Sequence, residues 1–313
     1  MKTSQIKDYK IISQYGTLLA FAFLVIIITI LTPQFLRLAN IINILRQTSV
    51  NGIIAVGMTL VIITGGIDLS VGSLIALTSV VACSFSHPSQ FPLVVPLLVG
   101  LIVGLAGGFI NGFIIAKKAI APFIVTLGMM TIARGFALVY TNGRPVTNLS
   151  DNFNNIGGGY WLGIPIPILI FGFIALLGGC ILKYTRLGRY VYAIGGNEEA
   201  ARISGINTKK IIMVVYAITG ILAGLAGIVL SSRVMSGSPV IGEGYELDAI
   251  AAVVIGGTSL SGGVGSMRGT LLGVLIIGIM NNGLDLLNVS SYWQQIAKGI
   301  IIIAAVLLDQ KRK

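Results

Sequence analysis

The sequence predicts an all-α, polytopic membrane protein: one transmembrane domain over residues 1–313, with about ten transmembrane helices, two Gly-rich helix breaks and a cytoplasmic coupling helix. Three observations carry that prediction. The chain is 55% hydrophobic and only 10% charged, with a mean hydropathy of +0.95, well outside the usage of soluble globular domains. Apolar runs long enough to cross a bilayer as helix, roughly 20 residues each, recur through the whole length. Lys and Arg are also spread unevenly over the segments between those runs.

Residues 1–14 carry Lys2, Lys7 and Lys10 against one acid, Asp8, and precede an apolar run at 15–31. The pairing looks superficially like a signal peptide. No small-x-small cleavage site follows before Pro33, so the run reads as an uncleaved first span with the N-terminus inside. Residues 32–47 read as a polar or amphipathic connection outside. Further spans are predicted at 48–64, 70–85, 93–116 and 121–140. The Asn- and Gly-rich segment 141–163 reads as an outer loop. A sixth span at 165–182 leads into a charged stretch, 184–210. Four more spans follow at 211–230, 247–256, 270–287 and 293–308.

The charges orient these segments. With both termini inside, the inner segments hold fifteen Lys and Arg, including Lys117, Lys118, Lys209, Lys210 and the terminal Lys311, Arg312 and Lys313. The outer segments hold four: Arg37, Arg46, Arg144 and Arg233. The bias places 184–210 in the cytoplasm. It also accounts for the net charge of +11, which in a soluble protein would suggest nucleic acid; no nucleic-acid partner is expected here, and the bilayer is. Cys83 and Cys180 both lie in apolar runs and suggest neither a disulfide nor a metal site. His87 alone makes no zinc site. The sequence contains no G-x-x-x-x-G-K-[ST], H-E-x-x-H or G-x-S-x-G, so no enzyme activity, catalytic residue or cofactor is expected of the chain itself.

Within 184–210 a short capped helix is expected. Asn197 suits the N-cap, and Glu198 and Glu199 place negative charge in the first turn, where the helix dipole favours it. Glu198 and Arg202 stand at i,i+4, and Gly205 suits the position just past the C-terminus. Two turns of helix are too short to persist alone in water. Such a helix either docks on something or belongs to an ordinary solvated loop, and the loop alone leaves both open.

Two stretches break the helical pattern: G-G-I-D-L-S-V-G-S from Gly65 and G-G-T-S-L-S-G-G-V-G-S from Gly256. Each begins G-G-x-x-L-S and ends V-G-S. A fainter echo links Ile110-Asn111-Gly112 with Asn281-Asn282-Gly283, and together these suggest an internal duplication of about 48–116 and 247–308. Matched breaks in two halves of a membrane chain point towards a transport pathway, whereas single glycines more often serve close helix packing. Few polar groups fall at membrane depth. Asp68 reads as an N-cap for a helix starting at Leu69 or as a solute contact, with Ser70 beside it. Asn111, Asn281 and Asn282 suit a polyhydroxylated solute or, equally, hydrogen bonds between helices. Arg134, about two turns from the outer end of its span, could snorkel or pair.

Glu199-Ala200-Ala201-x-x-x-Gly205 resembles the E-A-A-x-x-x-G loop of ABC importer permeases. The surrounding motifs are more specific. G-G-I-D-L-S-V-G-S at 65–73, R-G-F-A-L-V-Y-T-N-G-R-P-V at 134–146, L-G-R-Y-V-Y-A-I-G-G-N-E-E-A-A at 187–201 and G-Y-E-L-D-A-I-A-A-V-V-I-G-G-T-S-L-S-G-G at 244–263 are similar to the sugar permeases of the ribose and branched-chain amino acid permease family. The resemblance extends from about Leu31 to Lys313. It implies a subunit of a bacterial cytoplasmic (inner) membrane importer for a monosaccharide, D-ribose in the first instance. It further implies a homodimeric pore, a separate cytoplasmic ATP-binding subunit and an extracytoplasmic sugar-binding protein. Glu198, Glu199, Ala200, Ala201, Arg202 and Gly205 would then form the ATPase-coupling element, and Asp68, Ser70, Asn111, Asn281 and Asn282 the substrate path. One departure is the segment R-V-M-S-G-S-P-V-I-G-E-G at 233–244, where ribose-specific members usually carry a more S-S-A-Q-P-T-A-G-like loop; related pentoses and hexoses stay open. The alternative from another class is a stand-alone secondary sugar transporter.

Overall fold

The computed structural model describes residues 2–310, with side chains for 16–304 and for Leu307. The expected inner charges Lys311, Arg312 and Lys313 lie outside the described residues. All regular structure is helical except one two-stranded hairpin. The N-terminal half comprises α1 (Lys2–Leu31), α2 (Leu38–Ile63), α3 (Val71–Ser84), α4 (Val94–Lys118) and α5 (Pro122–Thr141). The segment expected as a bare outer loop holds α6 (Asp151–Gly158) and the antiparallel pair β1 (Tyr160–Trp161) and β2 (Ile164–Pro165). Then come α7 (Ile166–Tyr184), α8 (Arg186–Gly196), α9 (Glu198–Ile203), α10 (Thr208–Val234), α11 (Tyr245–Ile255), α12 (Met267–Leu286) and α13 (Ser291–Gln310).

Among the described residues six helices, α2, α4, α5, α7, α10 and α12, are long and apolar enough to cross a membrane. Two segments expected as spans fall short. At 1.5 Å per residue, α3 is about 21 Å long and α11 about 17 Å, against a hydrocarbon core of about 30 Å. The missing length in α11 has a structural source. The segment 235–244, expected outside, runs along α3 instead. A Cβ on Gly237 would lie 2.9 Å from Cys83 near the C-terminus of α3, and one on Gly242 would lie 2.7 Å from the Gly72 carbonyl at its N-terminus. α11 therefore starts level with the beginning of α3. Arg134 holds this re-entrant segment in place: its Nη1 donates to the carbonyls of Pro239 at 2.6 Å and Ile241 at 3.1 Å. Of the two options open for Arg134, pairing is the one observed.

The connection expected at 32–47 is also largely helix, because α2 starts at Leu38. Asn40, Asn43, Arg46 and Gln47 kept that stretch from reading as apolar.

The core is built on α2 and α10. α2 is buried almost continuously from Thr48 to Ile63, and α10 packs against α2, α3, α4 and α6. Lipid cannot drive apolar helices together as water does, so close backbone approach matters. On α4, Gly100, Gly104, Gly108 and Gly112 recur every four residues and face α10, the first three against Gly220 and Gly224 and Gly112 against Met213 and Tyr216. A Cβ on Gly108 would run into the Tyr216 carbonyl and lie 2.8 Å from the Cα of Gly220. The outward faces of α1, α5, α7 and α13 expose Ile30, Val139, Leu176 and Ile300, the surface a hydrocarbon solvent requires.

Candidate functional site

The charged stretch folds as two helices. Thr185 starts α8, its side chain accepting from the Gly188 amide at 3.2 Å. Asn197 separates α8 from α9 and caps α9, its Oδ1 accepting from the Ala200 amide at 2.9 Å. Gly205 takes φ +86°, and the Ile206 amide donates back to the Ala201 carbonyl at 3.1 Å, a left-handed helix stop. The ion pair within α9 joins Arg202 to Glu199 at 2.6 Å, not to Glu198. That bond raises the Arg202 pKa above its ordinary value. Ala201 is buried and anchors the helix, while Glu198, Glu199, Ala200, Arg202 and Gly205 are exposed. Ile203, unremarked in the sequence, is 79% exposed on the same short helix. α9 thus offers an acid, a base and an apolar knob outward.

Behind α9 the chain forms a junction of bare backbone. The first break occupies 64–70 and the second 256–266. The Gly263 amide donates to the Ile63 carbonyl at 2.8 Å. A Cβ on Gly195, near the end of α8, would collide with that same Ile63 carbonyl and with the Gly263 nitrogen. One on Gly262 would lie 2.9 Å from the Gly195 carbonyl and 3.0 Å from the Gly65 nitrogen. Tyr192 of α8 donates to the Gly265 carbonyl at 2.8 Å. The two breaks therefore touch each other and the helix leading into α9. Beside them a cavity of about 350 Å³ opens between Gly66, Ala121, Glu198, Lys209 and Tyr216.

The five polar residues expected along a substrate path separate into two groups. Asp68, Ser70 and Asn111 form one buried chain: Asn111 Nδ2 donates to Ser70 Oγ at 2.9 Å, and Ser70 Oγ donates to Asp68 Oδ1 at 2.6 Å. The Ser70 amide also donates to Asp68 Oδ1, at 2.9 Å, closing a turn just before α3. All three side chains are fully buried. Asn282 makes a reciprocal amide pair with Asn40 of α2, at 2.9 and 3.0 Å. Replacing Asn282 with Leu leaves Asn40 Oδ1 without its partner, while Asn40 Nδ2 keeps its bond to the Phe35 carbonyl at 2.9 Å, and is expected to cost about 1 kcal/mol, within the range for such bonds between membrane helices. Thermal unfolding followed by fluorescence should show the drop, with the import KM of the surviving protein unchanged.

Asn281 points elsewhere. It contributes to a polar cavity of about 190 Å³ between α2, α10, α11, α12 and α13. There Lys298 Nζ lies 2.9 Å from Asp248 Oδ2. Asn51 and Asn281 also donate to that oxygen, at 3.4 and 3.5 Å. Sequence reasoning gave no role to Asp248, Asn51 or Lys298. The usable signal was that Lys298 and Asp248 both interrupt apolar helices, and a charge at that depth needs a partner. The two Asn-Gly steps do not occupy matching places: Asn111 lies on the second helix after the first break, Asn282 on the first helix after the second.

Residues 40–306 match the family described as branched-chain amino acid transport system / permease component, and the chain belongs to that family of multi-pass membrane permeases. Among curated relatives it is 50% identical over 312 residues to the ribose import permease protein RbsC of Haemophilus influenzae, covering 98% of this chain and 96% of that one. It is likewise 50% identical to the ribose import permease protein RbsC of Bacillus subtilis, over 100% and 99% of the two chains. The D-allose transport system permease protein AlsC of Escherichia coli is 41% identical over 95% of this chain and 91% of its own. No solved structure matches the chain significantly.

Proposed function

We propose that this chain is the membrane-spanning subunit of an ATP-driven importer that carries a monosaccharide, D-ribose, into the cell. The observation that carries this reading is end-to-end similarity to two ribose import permeases at 50% identity, against 41% for the allose relative. A cytoplasmic ATP-binding subunit docks on α9 through Glu198, Glu199, Ala200, Arg202 and Gly205, with Ala201 holding the helix to the membrane domain. An extracytoplasmic sugar-binding protein delivers the sugar, and a second copy of the chain completes the pore. The protein resides in the bacterial cytoplasmic membrane with both termini inside. About ten segments enter the bilayer, α3 and α11 as partial spans on either side of the matched breaks, and 48–116 and 247–308 descend from one duplicated unit. Of the five path residues, Asn281 faces the solute. Asp68, Ser70 and Asn111 brace the start of α3, and Asn282 ties α12 to α2.

The deciding experiment is import by the reconstituted complex, with unlabelled sugars competing against labelled ribose. Ribose is expected to compete best, and uptake is expected to need both ATP and the ATPase subunit. ATP-independent uptake by this chain alone would overturn the reading in favour of the secondary transporter. Sidedness is checked separately. Single cysteines at the exposed positions Asn152 and Lys209, in a background lacking Cys83 and Cys180, are expected to label from opposite faces of the membrane with an impermeant maleimide.

A further inference from the structure

We propose that the cavity holding Asp248 and Lys298 is a binding site for one neutral polyol, and that the Asp248 carboxylate, presented by Lys298, accepts hydrogen bonds from the sugar hydroxyls. This rests on the reading of the chain as a sugar importer and names the place where the sugar stops.

The lining carries the argument. Apart from Gly278, each residue around the cavity brings a polar group. Two are cationic, Arg233 and Lys298, and two are anionic, Asp248 and Asp285, so the formal charges cancel. A balanced wall does not favour a phosphate or a carboxylate solute. It suits a neutral molecule with many donors and acceptors. Four amides, Gln47, Asn51, Asn281 and Gln294, offer both kinds of group. Tyr245 adds an aromatic ring. The volume, about 190 Å³, leaves room for a small polar solute between the five helices.

The wall is also under-satisfied. Thr48 Oγ1, Asn51 Oδ1, Asn281 Oδ1 and one Arg233 terminal nitrogen (Nη1) are buried and have no hydrogen-bond partner. Buried polar groups in folded proteins are nearly always paired, and a cluster of orphans around one cavity marks a place where something else supplies the bonds. The Asp248 geometry fits that role. Lys298, Asn51 and Asn281 all converge on Oδ2, while Oδ1 enters no hydrogen bond among the described residues. The ion pair engages one carboxylate oxygen, which leaves the other to accept from a hydroxyl. Asp68 differs in its place: its Oδ1 is held by its own turn and its Oδ2 is also unpartnered, but it lines neither of the cavities described above, so no solute volume lies against it.

The test uses the whole transporter, with its ATPase and sugar-binding protein, in liposomes. Asp248→Asn combined with Lys298→Gln removes both charges together, so neither is left buried alone. The KM for ribose import is expected to rise about tenfold to a hundredfold, the range for losing a hydrogen bond to a charged group, with thermal stability and ATPase association retained. In the background lacking Cys83 and Cys180, a cysteine at Asn281 should react with a small hydrophilic methanethiosulfonate. Saturating ribose should slow that reaction, while a cysteine at Asn111 should show no sugar protection. A wild-type KM in the double variant, or a reaction at position 281 indifferent to sugar, overturns the proposal. Should the wild-type complex import another neutral sugar and not ribose, the ribose assignment falls and the same two measurements judge the cavity with that sugar. Import of no sugar at all removes both.

Discussion

Glu199→Lys is expected to abolish ATP-driven sugar uptake while the protein still inserts, folds and reaches the membrane at near-normal levels. The local cost of the change is small. Removing the acid from the first turn of α9 forfeits about 0.3–1 kcal/mol of dipole interaction at an exposed site. The pair with Arg202, with both side chains well exposed to solvent, adds little, because water screens it. Neither effect unfolds a membrane domain whose core lies elsewhere. Docking is more sensitive, because a reversed charge meets like charge on the partner, at a cost of several kcal/mol. Gly205→Val should reach the same phenotype by another route. The residue sits at φ +86°, and a β-branched side chain resists that backbone and so unwinds the stop of α9. Uptake into vesicles and co-purification of the ATPase are the paired measurements. Normal ATP-driven uptake by Glu199→Lys would remove α9 as the coupling element.

A second large effect is expected at the α4–α10 seam. Gly108→Val places a branched side chain against the Tyr216 carbonyl and the Cα of Gly220, where backbone faces backbone and nothing flexible can yield. The helices must separate along the seam that holds the largest interface of the fold. A penalty above about 3 kcal/mol is expected, beyond the usual cost of overpacking, and the variant should fail to accumulate. Gly135→Ala is the matched control. A Cβ there meets nothing within 4 Å, and the residue is inside α5, so alanine should be neutral or stabilise by up to about 1 kcal/mol. Membrane yield and the thermal midpoint of the two variants distinguish a specific seam from general intolerance of glycine replacement.

The legible parts of this protein are those written in local chemistry. Hydropathy placed α4, α5, α7, α10 and α12 within a few residues of their observed ends, because a lipid-facing helix must be apolar over its length. The α9 caps were readable residue by residue: Asn197, the acidic first turn and Gly205 all act locally. What escaped has a nonlocal cause. The start of α2 was hidden because Asn40 and Gln47 look like loop residues until their partners on α12 and the cavity are known. The extent of α11 was placed within two residues, but its packing was not: the segment 235–244 laid along α3 by Arg134 is a tertiary feature that no window on residues 247–256 contains. The ladder from Gly100 to Gly112 was visible as spacing, yet only its partner on α10 tells which of the chain's many glycines it concerns. The Asp248–Lys298 pair, fifty positions apart, was the least accessible, since hydropathy averaging treats each as a blemish in an apolar run.

The junction of Gly195 with the two breaks separates stiffness from compliance. Where α8 meets Ile63 and Gly263, main chain rests on main chain, and no side chain stands between them to compress or change rotamer. A displacement of α8 is therefore passed on without loss to the ends of α2 and to the run that leads into α12. The give lies a few residues away, at Gly65 and Gly257, whose positive φ values mark backbone that can swing without the strain a side chain would add. Rigid bearings set beside unhindered pivots allow a small movement of α8 to emerge as a change of angle between α2 and α12. The movement needs no long lever, because α8 itself forms one side of the bearing.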